Sequence, residues 1–310
     1  MSCCKNNRIN TDQDMNENTS SMRVIKPGNY HQKGMLQLEG GAFLMGTEDS
    51  DANKSDQEGP VRTVQVAPFY IDPIPVTNQQ FLEFIEDTNY LTDAERYGWS
   101  FVFYNLLSEE TAKSVTQKPA HTPWWRVVEG ADWTHPEGPD SSIKNRLDHP
   151  VVHISWNDAV AYCMWSGKRL LTEAEWEYAA RGGLVQKRYP WGDQLTPNGK
   201  YMCNIWQGDF PVKNTQEDGY KGTCPVDAFS PNAFGIFSMV GNTWEWCANL
   251  FDYELTTSIP QENQPRAIRG GSYLCHESYC NRYRVAARSS NTPDSSSGNL
   301  GFRCAKNVPK

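Results

Sequence analysis

The sequence predicts an α+β fold: a single compact domain with low regular secondary structure and many loops. Three observations lead there. Helical periodicity is confined to three short segments, each bounded by capping or stop residues; strand-like runs are short and isolated; and 23 Gly and 19 Pro are interspersed with 11 Trp, 14 Tyr and 12 Phe. Glycine and proline punctuate turns, and large rings supply the buried area that pins loops to one another. At 310 residues the chain is long enough to bury a full core. No internal repeat or linker interrupts it after Met35, so one domain is expected over residues 35–310. It follows a polar, aperiodic tail, residues 1–34, whose composition predicts disorder.

The elements follow in order. Met35-Leu36-Gln37-Leu38, continuing through Gly40–Gly46, reads as a short strand punctuated by glycine. Val61–Val66 alternates apolar and polar residues like a half-buried strand. Thr77-Asn78-Gln79-Gln80 is a capping-box pattern, after which Phe81, Phe84 and Ile85 share one helical face. Residues 91–150 are rich in Trp, Pro and Gly and are expected to be mostly irregular. A second helix is predicted from Asn157 to Ser166 with Gly167 as its stop. A third opens at Thr172-Glu173-Ala174-Glu175 and ends before Gly182-Gly183. From Tyr189 onward, turns and short strands are expected.

Composition excludes several classes of function. A net charge of −8 lacks the basic excess of a nucleic-acid surface. No apolar run is long enough to cross a bilayer, and the polar start Met1–Arg8 leads into no apolar signal region. Nine cysteines is an odd, dispersed set that does not resemble a disulfide scaffold, so a cytoplasmic protein, expected to be monomeric, fits best. Cys3-Cys4 in the tail reads as an exposed, incidental pair.

Two cysteines stand apart. Cys275 and Cys280 lie in Gly270-Gly271-Ser272-Tyr273-Leu274-Cys275-His276-Glu277-Ser278-Tyr279-Cys280, followed by Arg282, Arg284 and Arg288. Cationic neighbours favour the thiolate, which is both the nucleophile and the ligand for a soft ion such as Cu(I). A structural disulfide or two small core residues explain the same spacing. An extended chain would hold the sulfurs roughly 17 Å apart, so any joint chemistry requires the intervening segment to turn.

These residues resemble the formylglycine-generating enzymes, or sulfatase-modifying factors. The similarity runs through Gly41–Gly46, His149–Trp156, Gly167–Glu177, Tyr189–Gly192, Asn204–Gly208 and Val240–Trp246. It ends with the cysteine segment continuing to Asn299–Cys304, and so spans residues 35–305. Most of these segments mark a wider superfamily, whereas the Cys275/Cys280 pair is specific to members that generate formylglycine. The resemblance implies a fold of the formylglycine-generating enzyme type, related to C-type-lectin-like folds. It also implies the oxidation, by copper(I) and dioxygen with a thiol reductant, of the cysteine in a Cys-X-Pro-X-Arg segment of an unfolded sulfatase to Cα-formylglycine. Cys275 and Cys280 would then hold the copper. Ser272 would orient dioxygen, water or the substrate sulfur, or else only bond its own turn. Asn299 would bond substrate backbone or only stabilise a turn. His276 would shuttle protons or bind substrate, or serve as an ordinary loop histidine.

Two structural calcium sites are implied as well. Asn204, Ile205, Asp218 and Tyr220 match one; Ser238, Gly241, Thr243 and Glu245 match the other, where Ser238 replaces the family's asparagine. Oxygen donors of this mixture suit a hard ion. Cys163 and Cys304 match a family pair that can form a disulfide and are expected here as neighbouring thiols. Ala180 and Val285 occupy the positions of a second family disulfide. Cys203, Cys224 and Cys247 are expected to be buried, and Arg282, Arg284 and Arg288 to pair with structural carboxylates. Trp124-Trp125 is read as core packing or as the lining of a peptide groove. Two other readings are a non-catalytic sulfatase-binding module on the same fold and an iron-dependent sulfoxide synthase. The second lacks its iron motif, because the six histidines are scattered.

Overall fold

The computed structural model describes residues 34–252 and 263–309. The predicted disordered tail and its Cys3-Cys4 pair fall, apart from Gly34, outside the described residues.

Strands β1 (Leu36–Leu38) and β2 (Gly41–Met45) come from the first predicted strand, divided where Gly40 turns at φ +68°. β2 pairs in antiparallel register with β3 (Arg62–Val66), and β4 (Phe69–Ile71) pairs with β1. Helix α1 (Asn78–Thr88) starts at the predicted capping box: the Thr77 hydroxyl accepts from the Gln80 N–H, and the Gln80 side chain accepts from the Thr77 N–H. This reciprocal bonding satisfies two donors that a helix start leaves open.

The expectation that residues 91–150 are mostly irregular needs correction. They contain α2 (Asp93–Tyr97), β5 (Trp99–Phe103), α3 (Glu109–Ser114) and β6 (Trp125–Glu129), with β5 and β6 paired over five residues from Trp99↔Glu129 to Phe103↔Trp125. Four residues of β5 are buried, which hides the alternation that would mark a strand with one solvated face. The second predicted helix, α4, runs Trp156–Trp165, one residue earlier than expected at each end, because Ser155 caps it in a box with Asp158. β7 (Arg169–Leu170) leads into α5 (Glu173–Arg181), capped by Thr172 and stopped by Gly182 as predicted.

The remaining strands are short: β8 (Gly208–Asp209), β9 (Lys213–Asn214), β10 (Trp244–Leu250), β11 (Arg266–Arg269), β12 (Arg288–Asn291), β13 (Leu300–Phe302) and β14 (Cys304–Asn307). One sheet has the order β1-β4-β14-β7 and joins the two ends of the domain; the other has the order β12-β11-β10-β13. The main core between sheets and helices holds Phe81, Phe84, Tyr162, Trp165, Trp176, Trp244 and Trp246. A second, largely aromatic cluster of Phe101, Phe103, Trp125, Trp206, Tyr273 and Leu274 includes two residues of the cysteine segment. No described helix is long and apolar enough to cross a membrane.

Candidate active site

After β11 the chain makes a sharp bend at Gly270-Gly271. Gly271 has φ +71°, and a Cβ there would meet the Arg282 carbonyl carbon and oxygen at 2.9 Å, so only glycine fits between the two arms of the cysteine loop. Within that loop the His276 carbonyl accepts from the N–H groups of Tyr279, Cys280 and Asn281 at 3.1, 2.9 and 3.0 Å, and Cys275 N–H donates to Ser272 O at 2.9 Å. The five-residue spacing is thereby coiled. Cys275 and Cys280 approach to a Cα separation of 5.5 Å and are joined as a disulfide, both buried.

Carboxylates hold the far arm in place. Arg282 donates through Nε to Asp56 at 2.9 Å and through Nη1 to the Cys280 carbonyl at 3.1 Å. Arg284 meets Glu58 at 2.8 Å, and Arg288 grips both oxygens of Glu173 at 2.7 Å. The three arginines are buried and structural, as the sequence reading favours.

Above the disulfide lies a small cavity of ≈ 10 Å³, lined by Trp124, Trp125, Phe210, Ser272, Leu274, Cys275, Tyr279 and Asn299. That volume is about what one water needs. The cavity wall is aromatic: Tyr279 stacks on Phe210 at 4.7 Å between centroids and meets Trp124 edge-on at 4.6 Å. The wall is seated through the β8–β9 hairpin, since Trp206 N–H donates to Cys275 O at 3.1 Å and the Tyr104 hydroxyl to Pro211 O at 3.0 Å. The floor is polar. Asn299 Nδ2 donates to Ser272 Oγ at 2.9 Å, and the Leu274 N–H donates to the same oxygen at 3.3 Å. Ser272 bonds its own turn and also lines the cavity. His276 differs, because its Nδ1 accepts from Ser278 N–H at 3.3 Å and also bonds the Ser278 hydroxyl at 2.8 Å. Its side chain faces Ser278, and its part in the loop is played by its carbonyl.

The site reads as a buried sulfur pair beside an aromatic wall. Residues 21–308 match the model of the sulfatase-modifying factor enzyme 1-like domain. This chain belongs to the sulfatase-modifying factor enzyme 1-like family. Relatives named formylglycine-generating enzyme include one from Thermomonospora curvata, 58% identical over 88% of this chain and 93% of its own, and one from Bos taurus, 53% identical over 87% and 74%. A Bos taurus protein named inactive Cα-formylglycine-generating enzyme 2 is 49% identical over 92% of each chain. Among solved structures, PvdO from Pseudomonas aeruginosa superposes with a TM-score of 0.63 at 25% identity, covering 91% of this chain and 99% of its own. The expected single α+β domain of the sulfatase-modifying factor type is borne out.

In this sulfatase-modifying factor domain the two proposed calcium sets differ in how well they suit a cation. Of Asn204, Ile205, Asp218 and Tyr220, the last three come together: the Ile205 and Tyr220 N–H groups both donate to the Asp218 carboxylate at 3.0 Å, while the Asn204 amide donates to Gly222 O at 2.8 Å. Partial burial pushes the Asp218 carboxyl above its usual range, and none of the described ion pairs includes it. The Asp218 carboxylate is the one charged oxygen donor of this set, a type of ligand that suits a hard ion. In the second set, Thr243 Oγ1 is buried without a partner, but the Glu245 carboxylate is already bound by Arg303 at 2.8 Å and by Trp176 Nε1 at 2.9 Å. Arg303 also reaches Phe237 O at 2.8 Å, and Ser238 Oγ donates to Val226 O at 2.8 Å. A protein cation therefore already neutralises the only charged ligand of the Ser238, Gly241, Thr243 and Glu245 set.

Cys163 and Cys304 are buried, unbonded thiols with sulfurs 3.6 Å apart; Cys203, Cys224 and Cys247 are buried as expected. Burial pushes the Cys203, Cys247 and Cys304 thiols up, away from the reactive form. Sequence reasoning missed Phe210 and Tyr279 as lining residues of the cavity. Tyr279 lies inside the motif itself, where its spacing from Cys280 was the available signal; Phe210 carried none.

Proposed function

We propose that this protein oxidises the cysteine of a Cys-X-Pro-X-Arg segment in an unfolded sulfatase to Cα-formylglycine, with dioxygen as oxidant and copper(I) held by Cys275 and Cys280. One observation carries the reading: Cys275, its sulfur beside that of Cys280, lines a small aromatic cavity that also bears Ser272 and Asn299. In balance, the peptide cysteine loses its sulfur as hydrogen sulfide and gains one oxygen atom as the aldehyde. The other oxygen atom leaves as water, and two external thiols supply the remaining two electrons and two protons as they become a disulfide. The same reductant opens the Cys275–Cys280 bond before each sulfur can act as a ligand. Bound there, copper(I) would supply a soft, redox-active centre that favours thiolate ligands. The chain does the rest. Trp124, Phe210 and Tyr279 exclude water, Asn299 holds Ser272, and Ser272 donates toward the reacting atoms.

We further propose calcium at Asn204, Ile205, Asp218 and Tyr220, and a reducing, cytoplasmic setting, for which an odd, dispersed set of nine cysteines is the support. A binding module without catalysis is the competing reading, and a relative named inactive keeps it in view. The two separate in one experiment on Cys275→Ser. The oxidase reading expects stoichiometric copper(I) in wild type, none in the variant, peptide affinity within about threefold, and conversion down by at least about 100-fold. If wild-type protein binds the peptide but takes up no copper and converts nothing, the binding reading stands instead.

A further inference from the structure

The β8–β9 hairpin carries Phe210 to the cavity wall on very little structure of its own. Its strands pair only at Gly208↔Asn214 and Asp209↔Lys213, and Val212 N–H closes the turn by donating to Asp209 O at 2.8 Å. A two-stranded hairpin of this size is marginally stable at best in water. Its position therefore depends on what ties it to the body of the domain. Apolar contact is one tie: the Phe210 ring centroid lies 4.7 Å from that of Tyr279, 5.3 Å from Trp206 and 5.4 Å from Trp124. Such contact rewards buried area but is non-directional.

Direction comes from Tyr104, whose hydroxyl donates to Pro211 O at 3.0 Å. Among the described residues, every other hydrogen bond of 208–214 stays within the hairpin or reaches its own stem, where Asn214 Oδ1 accepts from the Gln207 and Gln216 N–H groups. Tyr104 is itself well anchored. It follows directly on β5, whose pairing with β6 runs to Phe103↔Trp125, and its N–H donates to Trp124 O at 2.9 Å. The Arg126 guanidinium covers its ring at 5.4 Å from the centroid. One residue thus bonds both arms of the wall, that of Trp124 through its amide and that of Phe210 through its hydroxyl.

We infer that Tyr104 is a positioning residue whose hydroxyl latches the β8–β9 hairpin and so holds Phe210 against Tyr279 in the wall beside Cys275. The latch stands on geometry; its consequence for conversion rests on the oxidase reading above. The test has two arms. The first follows iodoacetamide labelling of Cys275 by peptide mass spectrometry, in the full-length, metal-free protein with the Cys275–Cys280 bond reduced. Cys275 is 1% exposed, so labelling requires the cavity to open, and its rate reports how readily it does. Tyr104→Phe keeps the ring and the amide bond and removes only the hydroxyl. It is expected to speed Cys275 labelling about three- to tenfold, the worth of one hydrogen bond, and to leave labelling of buried Cys163 and Cys304 unchanged. In a Phe210→Ala background it is expected to add nothing. Unchanged Cys275 labelling in Tyr104→Phe overturns the inference. So does an acceleration shared by Cys163 and Cys304, or repeated in full in the Phe210→Ala background, since either marks a general loosening. The second arm measures kcat/KM on a Cys-X-Pro-X-Arg peptide, expected to fall about three- to tenfold in Tyr104→Phe and no further when Phe210→Ala is already present. A wild-type kcat/KM in Tyr104→Phe overturns the catalytic consequence. If wild type converts no peptide, the oxidase reading fails, and the labelling arm still decides the latch.

Discussion

At the scale of single residues, the site is a set of donors and acceptors whose partners lie far apart in sequence. Ser272 and Asn299 are 27 residues apart, and Arg282 and Asp56 are 226 apart. The cysteine pair was legible because both sulfurs sit in one continuous motif with a fixed spacing. Phe210 was not, because a lone phenylalanine after a glycine turn has no signal until the chain is folded. The calcium reading makes a prediction at this scale. Asp218 would be the charged ligand, so chelation should lower the wild-type Tm by roughly 5 °C or more, and added calcium should restore it. Asp218→Asn should no longer respond to either treatment. A wild-type Tm indifferent to chelator and calcium would remove the site.

At the scale of elements, the helices were the most readable part. Capping is local chemistry, and Thr77 and Thr172 carry their partners three residues away, at Gln80 and Glu175. The β5–β6 hairpin was not legible, since more than twenty residues and a short helix separate its strands, and burial on both faces removes the period-two pattern. The cap of α4 also has a pH consequence. Asp158 accepts from Ser155 N–H at 2.9 Å, Asp93 N–H at 3.0 Å and the Tyr90 hydroxyl at 3.0 Å. Burial, reinforced by the charge of Asp93, pushes its carboxyl up to about 7. The native state thus holds this proton more tightly than the unfolded chain. The stabilisation is full below the ordinary carboxylate range and is lost as pH rises toward about 7. Asp158→Asn, which mimics the protonated form, should therefore flatten the fall of Tm between about pH 4 and 7. A variant whose Tm profile has the wild-type slope would show that Asp158 does not titrate in this window.

At the scale of the whole molecule, the fold brings its two ends to the site. β14 lies between β4 and β7, so the C-terminal strand is clamped in the sheet begun by β1. The loop carrying Asp56 and Glu58 reaches across to Arg282 and Arg284 on the arm that follows Cys280. Removing one member of such a buried pair typically costs about 3–5 kcal/mol because the remaining charge is stranded. The sulfur pair is thus held by charges contributed from the opposite end of the domain, and these long-range pairings were invisible in the sequence except as an excess of arginine after Cys280. Their effect is to present Cys275 and Cys280 side by side under the lid of Trp124, Phe210 and Tyr279. The most direct test of that arrangement is mass spectrometry of a Cys-X-Pro-X-Arg peptide incubated with the full-length protein, copper(I), dioxygen and a thiol reductant. The account predicts that the cysteine mass is replaced by that of the aldehyde, and only when copper, dioxygen and reductant are all present. A peptide that keeps its thiol while copper is bound to the protein would contradict it.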